Sequence, residues 1–161
     1  MPPVEEPWKY KDTFITSIDD IPENAVGFVY KITNIPTNKS YIGKKNLYTF
    51  RNIQLGKKEL QALKEERKIQ GMRGPTPTKK KVIKESDWMS YYGSEKSLLK
   101  DIKEDTKSNF RREILEFAFS PKHLTYLETK YQFSLDVLEN EEKWYNKNIL
   151  GKFFPKDLDF S

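Results

Sequence analysis

Residues 25–34 (AVGFVYKITN) alternate between apolar and polar character and are rich in Val, Phe, Tyr and Ile, the pattern of a strand. Pro36-Thr37-Asn38-Lys39 is turn material, and 40–45 (SYIGKK) predicts a second strand, so the pair reads as a hairpin. Leu47 to Arg51 reads as the start of a helix. Residues 57–70 (KKELQALKEERKIQ) are strong helix formers, but Leu60, Leu63 and Ile69 make too narrow a stripe, so this helix is expected to be mostly exposed. Residues 71–81 (GMRGPTPTKKK) read as a long loop. Ser94 predicts a cap for a helix through Glu104, with Leu98, Leu99 and Ile102 facing inward. Residues 110–119 (FRREILEFAF) predict a third strand. Ser120-Pro121 is a helix start, a capping hydroxyl followed by proline at the first helical position. That helix carries Leu124, Leu127, Glu128 and Tyr131. The pattern describes an α+β chain with three strands, two of them a hairpin, and helices between and after them. Residues 1–24 read as an irregular arm, 25–149 as the core, and 52–86 as an insertion after the second strand.

A chain of 161 residues fits a single domain, and with no cysteine it has neither a disulfide framework nor a thiolate zinc site. No apolar run approaches the length of a membrane span, and no leader-like h-region opens the chain. A soluble, cytoplasmic protein with no membrane partner is therefore expected. The net charge of +5 is unevenly distributed: residues 44–84 hold 13 Lys and Arg against 3 Glu, a net of +10. The remainder is net −5. A basic sector on an acidic body is the footprint of a polyanion binder, although a lysine-rich solvated loop has the same composition.

Five sites in order carry the chemistry: Gly27-Phe28-Val29-Tyr30, Tyr41-Ile42-Gly43 eleven residues on from Tyr30, Arg51 eight residues after Gly43, Glu128, and Asn146. In that order and spacing the chain resembles the GIY-YIG nuclease superfamily, over about residues 25–149. The first motif is one residue longer than Gly-Ile-Tyr, and 52–86 is longer and more basic than a minimal member needs. The block Asp87–Ile102 with 109–115 is similar to stand-alone nucleases of this superfamily encoded by phages, for which the compartment would be the host cytoplasm.

The resemblance implies an α+β fold with a small three-stranded antiparallel sheet flanked by helices, and a metal-dependent DNA endonuclease. Glu128 would ligate one hard divalent cation, Mg²⁺ or Mn²⁺. Arg51 would hold the scissile phosphate through its planar fork. Tyr30 or Tyr41 would orient the attacking water or accept its proton, with Lys44 as a secondary candidate. Asn146 would fix the site or a phosphate by hydrogen bonds. The basic sector would grip DNA through Lys45, Arg73, Lys79, Lys80, Lys81 and Lys84. A site of this type cuts one strand at a time, so a double-strand cut would need a homodimer or two events. Taken singly, these residues have plainer readings: hairpin core for the tyrosines, surface charge for Arg51 and Glu128, a turn for Asn146. Trp88, Tyr91 and Tyr92 read as core beneath the 94–104 helix more than as a base-stacking platform. His123 reads as helix surface. Two rivals stand beside the nuclease: a non-catalytic nucleic-acid-binding protein, and a PD-(D/E)xK nuclease using Glu128-Thr129-Lys130, which would need that tripeptide on a strand.

Overall fold

A computed structural model describes residues 5–158. In chain order its strands and α-helices are β1 (Trp8–Tyr10), β2 (Thr13–Ile15), β3 (Gly27–Asn34), β4 (Lys39–Asn46), β5 (Tyr48–Gln54), α1 (Lys57–Ile69), β6 (Lys79–Glu85), α2 (Lys96–Glu104), β7 (Phe110–Ala118) and α3 (Pro121–Ser134). Contacts divide the chain into two units. The larger runs through Leu47 and resumes at Asp87, and the smaller is Tyr48–Ser86.

The larger unit is built on one sheet in the order β2-β1-β7-β3-β4. Its antiparallel centre, β7-β3-β4, contains the three strands expected from the alternation. The sheet has five strands, however, because the supposed irregular arm supplies two more. Trp8 and Ile15 face each other across β1 and β2, both buried, and β1 pairs parallel to β7. The Trp8 indole N–H donates to the Trp88 carbonyl at 2.6 Å, which ties the arm to the segment after residue 87.

The central strands bury both faces. Val29 and Ile42 pack with Leu124 and Leu127 of α3 and with Val137, Leu138, Trp144 and Ile149. Burying each of those leucines contributes about 2 kcal/mol. Phe28 and Tyr30 point the other way, into an aromatic cluster with Trp8, and Phe28 also meets Trp88. Trp88 and Tyr92 are thus core, as read. The Ser120 hydroxyl caps α3 by accepting from the His123 N–H at 3.0 Å, and Pro121 stands in its first turn. Glu95, not Ser94, caps α2, its carboxylate accepting from the Ser97 N–H. Leu98 and Ile102, one helical turn apart, are buried, whereas Leu99 lies about 100° further round the helix and is 41% exposed.

In the smaller unit β5 and β6 form a two-stranded antiparallel ladder running from Tyr48 opposite Glu85 to Gln54 opposite Lys79. Two expectations are overturned here. Residues from Tyr48 onward extend as a strand where a helix start was read, because Tyr, Thr, Phe and Ile favour a pleated surface. Lys79, Lys80 and Lys81 stand on β6 instead of in a loop. The exposed helix over 57–70 is present as α1, with no buried residue.

Candidate active site

β4 is an edge strand of the sheet, and an edge leaves every second N–H and C=O without a sheet partner. Here those groups are taken in turn by three kinds of partner: backbone, side-chain amide and carboxylate. The Ser40 N–H donates to the Lys143 carbonyl at 2.9 Å, and the Ser40 carbonyl accepts from the Tyr145 N–H at 2.7 Å. At the next outward residue, Ile42, the Asn146 side chain replaces backbone. Its Oδ1 accepts from the Ile42 N–H at 3.1 Å and its Nδ2 donates to the Ile42 carbonyl at 2.8 Å. Gln132 Nε2 donates to the same carbonyl at 3.2 Å. At Lys44 the backbone N–H donates to the Glu128 carboxylate. Amide and carboxylate are therefore set along one edge by the repeat of the strand.

The two tyrosines come from the inner side of the same hairpin. Tyr30 pairs directly across from Gly43. Its ring lies over that glycine so closely that a Cβ there would stand 2.4 Å from the phenol oxygen. A register shift between β3 and β7 falls at Val29/Tyr30, the kind of irregularity that re-aims a side chain. Gly27 has its own reason: a Cβ would meet the Lys45 carbonyl and Leu124. Tyr30 is 1% exposed and shares a hydrogen bond with Tyr91. Burial raises its pKa well above the ordinary phenol value, with Tyr41 and Tyr91 adding to the effect.

Tyr41, Glu95, Glu128, Gln132, Asn146, Lys147, Asn148 and Leu150 line one polar pocket of about 190 Å³. Burial pushes the Tyr41 phenol up to about 12, opposed by a hydrogen bond from Ser94 and reinforced by Glu128. At neutral pH the Tyr41 phenol keeps its proton. Burial also raises the Glu128 carboxyl above the usual glutamate range, while the Lys44 ammonium and backbone N–H pull it back down. The Lys44 ammonium itself is exposed and donates to the Thr125 hydroxyl at 2.9 Å.

The family described as "Putative endonuclease segE, GIY-YIG domain" matches the chain over residues 8–149, a span that holds the hairpin, Arg51, Glu128 and Asn146. The chain belongs to the GIY-YIG endonuclease family. No curated protein and no solved structure matches it. In this GIY-YIG chain Tyr41, Glu128 and Asn146 meet at the pocket, and Tyr30 packs behind them under Tyr91. Glu128-Thr129-Lys130 lies on α3, so the strand that a PD-(D/E)xK site requires is not there.

The remaining candidates are placed as follows. Arg51 belongs to the smaller unit, exposed on β5 opposite Val82. Lys45 belongs to the larger unit and is already engaged: its ammonium is 2.6 Å from Asp87 and lies 4.0 Å from the Tyr91 ring centroid. Lys80 pairs with Glu59 of α1 at 2.7 Å, and Lys81 lies over the Phe50 ring at 4.2 Å. Arg73, Lys79 and Lys84 are exposed.

The structure also places at or near the GIY-YIG pocket residues that the sequence reading passed over. Glu95 and Gln132 are lining groups with no motif of their own. Arg112 was given no role from the sequence. It is buried, stacks on Trp8 and Tyr92, and donates to the carbonyls of Met89, Tyr91 and Glu6. It thereby holds the segment that carries Tyr91 against Tyr30. Its only sequence signal was its place on a strand with buried neighbours at alternate positions.

Proposed function

We propose that this chain is a metal-dependent DNA endonuclease that hydrolyses phosphodiester bonds at the pocket lined by Tyr41 and Glu128. The observation that carries this reading is the meeting of Tyr41, Glu128 and Asn146, from three distant stretches of sequence, around one polar cavity. Its donor set suits a hard cation. Among the described residues there is no group of three or more His, Cys, Asp or Glu close enough to form a metal cage. Mg²⁺ does not need one, since it is commonly held by one or two carboxylates and otherwise keeps its waters. Glu128 is the ligand in this reading, and Glu95 is the second carboxylate facing the pocket. Bound there, the cation supplies charge for the phosphate oxygens and lowers the pKa of its water.

The chain's own groups do the rest. Hydrolysis forms one P–O bond from water and breaks another, so a water must be aimed, charge on the phosphate offset, and the proton that the water loses passed through solvent to the leaving oxygen. Tyr41, protonated and facing the pocket, donates to the water or to a phosphate oxygen. Tyr30, buried behind Gly43, sets the position of Tyr41 and takes no part in proton transfer. Asn146 fixes the edge at Ile42, where its amide both accepts and donates. Arg51 holds phosphate through paired donors. The ammonium of Lys44 lowers the cost of ionising Glu128.

Nicking of supercoiled plasmid tests this. Cutting is expected with Mg²⁺ or Mn²⁺, lost with EDTA, and lost in Glu128→Ala while binding to DNA persists. Cutting that survives EDTA overturns the metal requirement. Cutting by a folded Glu128→Ala chain overturns the role of Glu128. Binding without any cutting by the wild-type chain leaves a nucleic-acid-binding protein.

A further inference from the structure

Side chains of a two-stranded ribbon alternate between its faces, so the β5–β6 register sorts the smaller unit's residues into two sets. One face carries Thr49, Arg51 and Ile53 with Lys80, Val82 and Lys84. The other carries Tyr48, Phe50, Asn52 and Gln54 with Lys79, Lys81, Ile83 and, at the end next to Tyr48, Glu85. The first face has the ion pair between Lys80 and Glu59 of α1. On the second, Phe50 is 58% and Ile83 62% exposed, and Asn52, Gln54, Lys79 and Lys81 are exposed as well.

That second face has an unusual composition for a solvated surface. Asn and Gln are the side chains that pair bidentately with adenine, and Lys reaches the acceptors of guanine. Apolar groups meet the thymine methyl. All three kinds stand side by side on one short ribbon. A ribbon whose strands lie about 4.8 Å apart enters the major groove of B-form DNA, about 12 Å wide. The charge agrees: Tyr48–Ser86 holds 11 Lys and Arg against 4 Glu, net +7, while the rest of the chain is net −2.

We infer that the β5–β6 ribbon is a sequence reader, laying its Phe50/Asn52/Gln54/Lys81/Ile83 face in the major groove of duplex DNA. This rests on the nuclease reading for its substrate and goes beyond phosphate grip, because the amides and apolar groups on this face add nothing to an electrostatic hold. Lys81, over the Phe50 ring, is held on the reading face by the aromatic beneath it. Asn52 and Gln54, two residues apart on one strand, point at neighbouring positions of one groove.

The test is selection from a randomised duplex library by full-length chain, followed by sequencing of bound and cut molecules. Wild type is expected to enrich a short motif containing adenine. Asn52→Ala/Gln54→Ala removes no charge, so its salt dependence stays that of wild type while its preference at the adenine positions falls about tenfold or more. Phe50→Ser is expected to weaken preference at a thymine position. An unchanged motif in the double variant overturns the inference. So does a wild-type chain that cuts with no preference, although the nuclease reading then stands. Absence of cutting with a selected motif intact removes the nuclease reading and leaves the reader. Preference for A-form RNA duplex overturns it too, since that major groove is too narrow for a ribbon. Sedimentation showing a dimer that Phe50→Ser dissociates would assign the face to self-association instead.

Discussion

Asn146 and Gln132 converge on the backbone of one residue, Ile42, and that is where single substitutions tell most. The Asn146 amide both donates and accepts there, is 4% exposed, and is the side chain that accepts from the Ile42 N–H. Asn146→Ala is expected to cost about 1–3 kcal/mol in a urea melt, the range for leaving buried polar groups unpaired. Asn146→Asp should cost at least as much, because a carboxylate would face the Ile42 carbonyl with no hydrogen to give. A melt unchanged in both variants would mean that the edge is held without Asn146. The tyrosines should separate in the same way. Tyr41→Phe removes the donor that faces the pocket and is expected to slow single-turnover nicking by about 10²-fold or more, the scale of losing one preorganised donor. Tyr30→Phe removes a hydroxyl that faces Tyr91 inside the core, so a smaller loss is expected. Equal losses would place Tyr30 at the reacting atoms. Arg51→Lys is expected to be nearly as damaging as Arg51→Ala, since an ammonium keeps the charge but not the fork. Near-complete activity with Lys would reduce Arg51 to a point charge.

At the scale of elements, the ribbon divides lysines that the sequence presented as one run. Lys79 and Lys81 stand on one face and Lys80 on the other, already paired with Glu59. Each phosphate contact on duplex DNA steepens the salt dependence of binding by about 0.9 in log–log slope. Lys79→Gln/Lys81→Gln should therefore flatten the slope by up to about two units. Lys80→Gln should change it less, because it also releases Glu59. Titration of Glu128→Ala chain against unrelated duplexes at several salt concentrations measures both, and an unchanged slope would move the grip elsewhere. This division was invisible in sequence for a physical reason. β6, KKKVIKE, is exposed at every position and so shows none of the alternation that a buried face imposes. β3 and β7 were legible because their partners are buried on both sides. β1 and β2 have three residues each, too few for any period, and exist because Trp8 has a long-range place beside Trp88 and Phe28. The motif spacing picked out Tyr41, Glu128 and Asn146, which the structure brings to one pocket. It did not separate the pocket phenol from the packed one, since both are apolar-position tyrosines of the same hairpin, and it gave Glu95 and Gln132 no signal.

At the scale of the whole molecule, stability and charge are divided along the same boundary. The larger unit holds every buried residue among those described and is nearly neutral, whereas Tyr48–Ser86 has none buried and carries the positive charge. A ribbon and helix without a core set a ladder, exposed hydrogen bonds, an ion pair, a cation–π contact and partly covered side chains against chain entropy of about 1–2 kcal/mol per residue. Such a segment belongs to the low end of local stability, where openings are frequent. Hydrogen exchange on the free chain is therefore expected to show the amides of β5 and β6 exchanging through openings far less costly than those of β3, β4 and β7, with residue 47 and residue 87 near the change in protection. Ordering by a ligand should reverse this locally: saturating duplex DNA is expected to slow exchange in β5 and β6 more than anywhere else. In that case part of the binding free energy is spent on holding the ribbon, and variants that stiffen it should bind DNA more tightly. If β5 and β6 are as protected as β3 before DNA is added, the smaller unit is stable by itself. Binding would then proceed on a preformed surface, with no gain in affinity left for stiffening to supply.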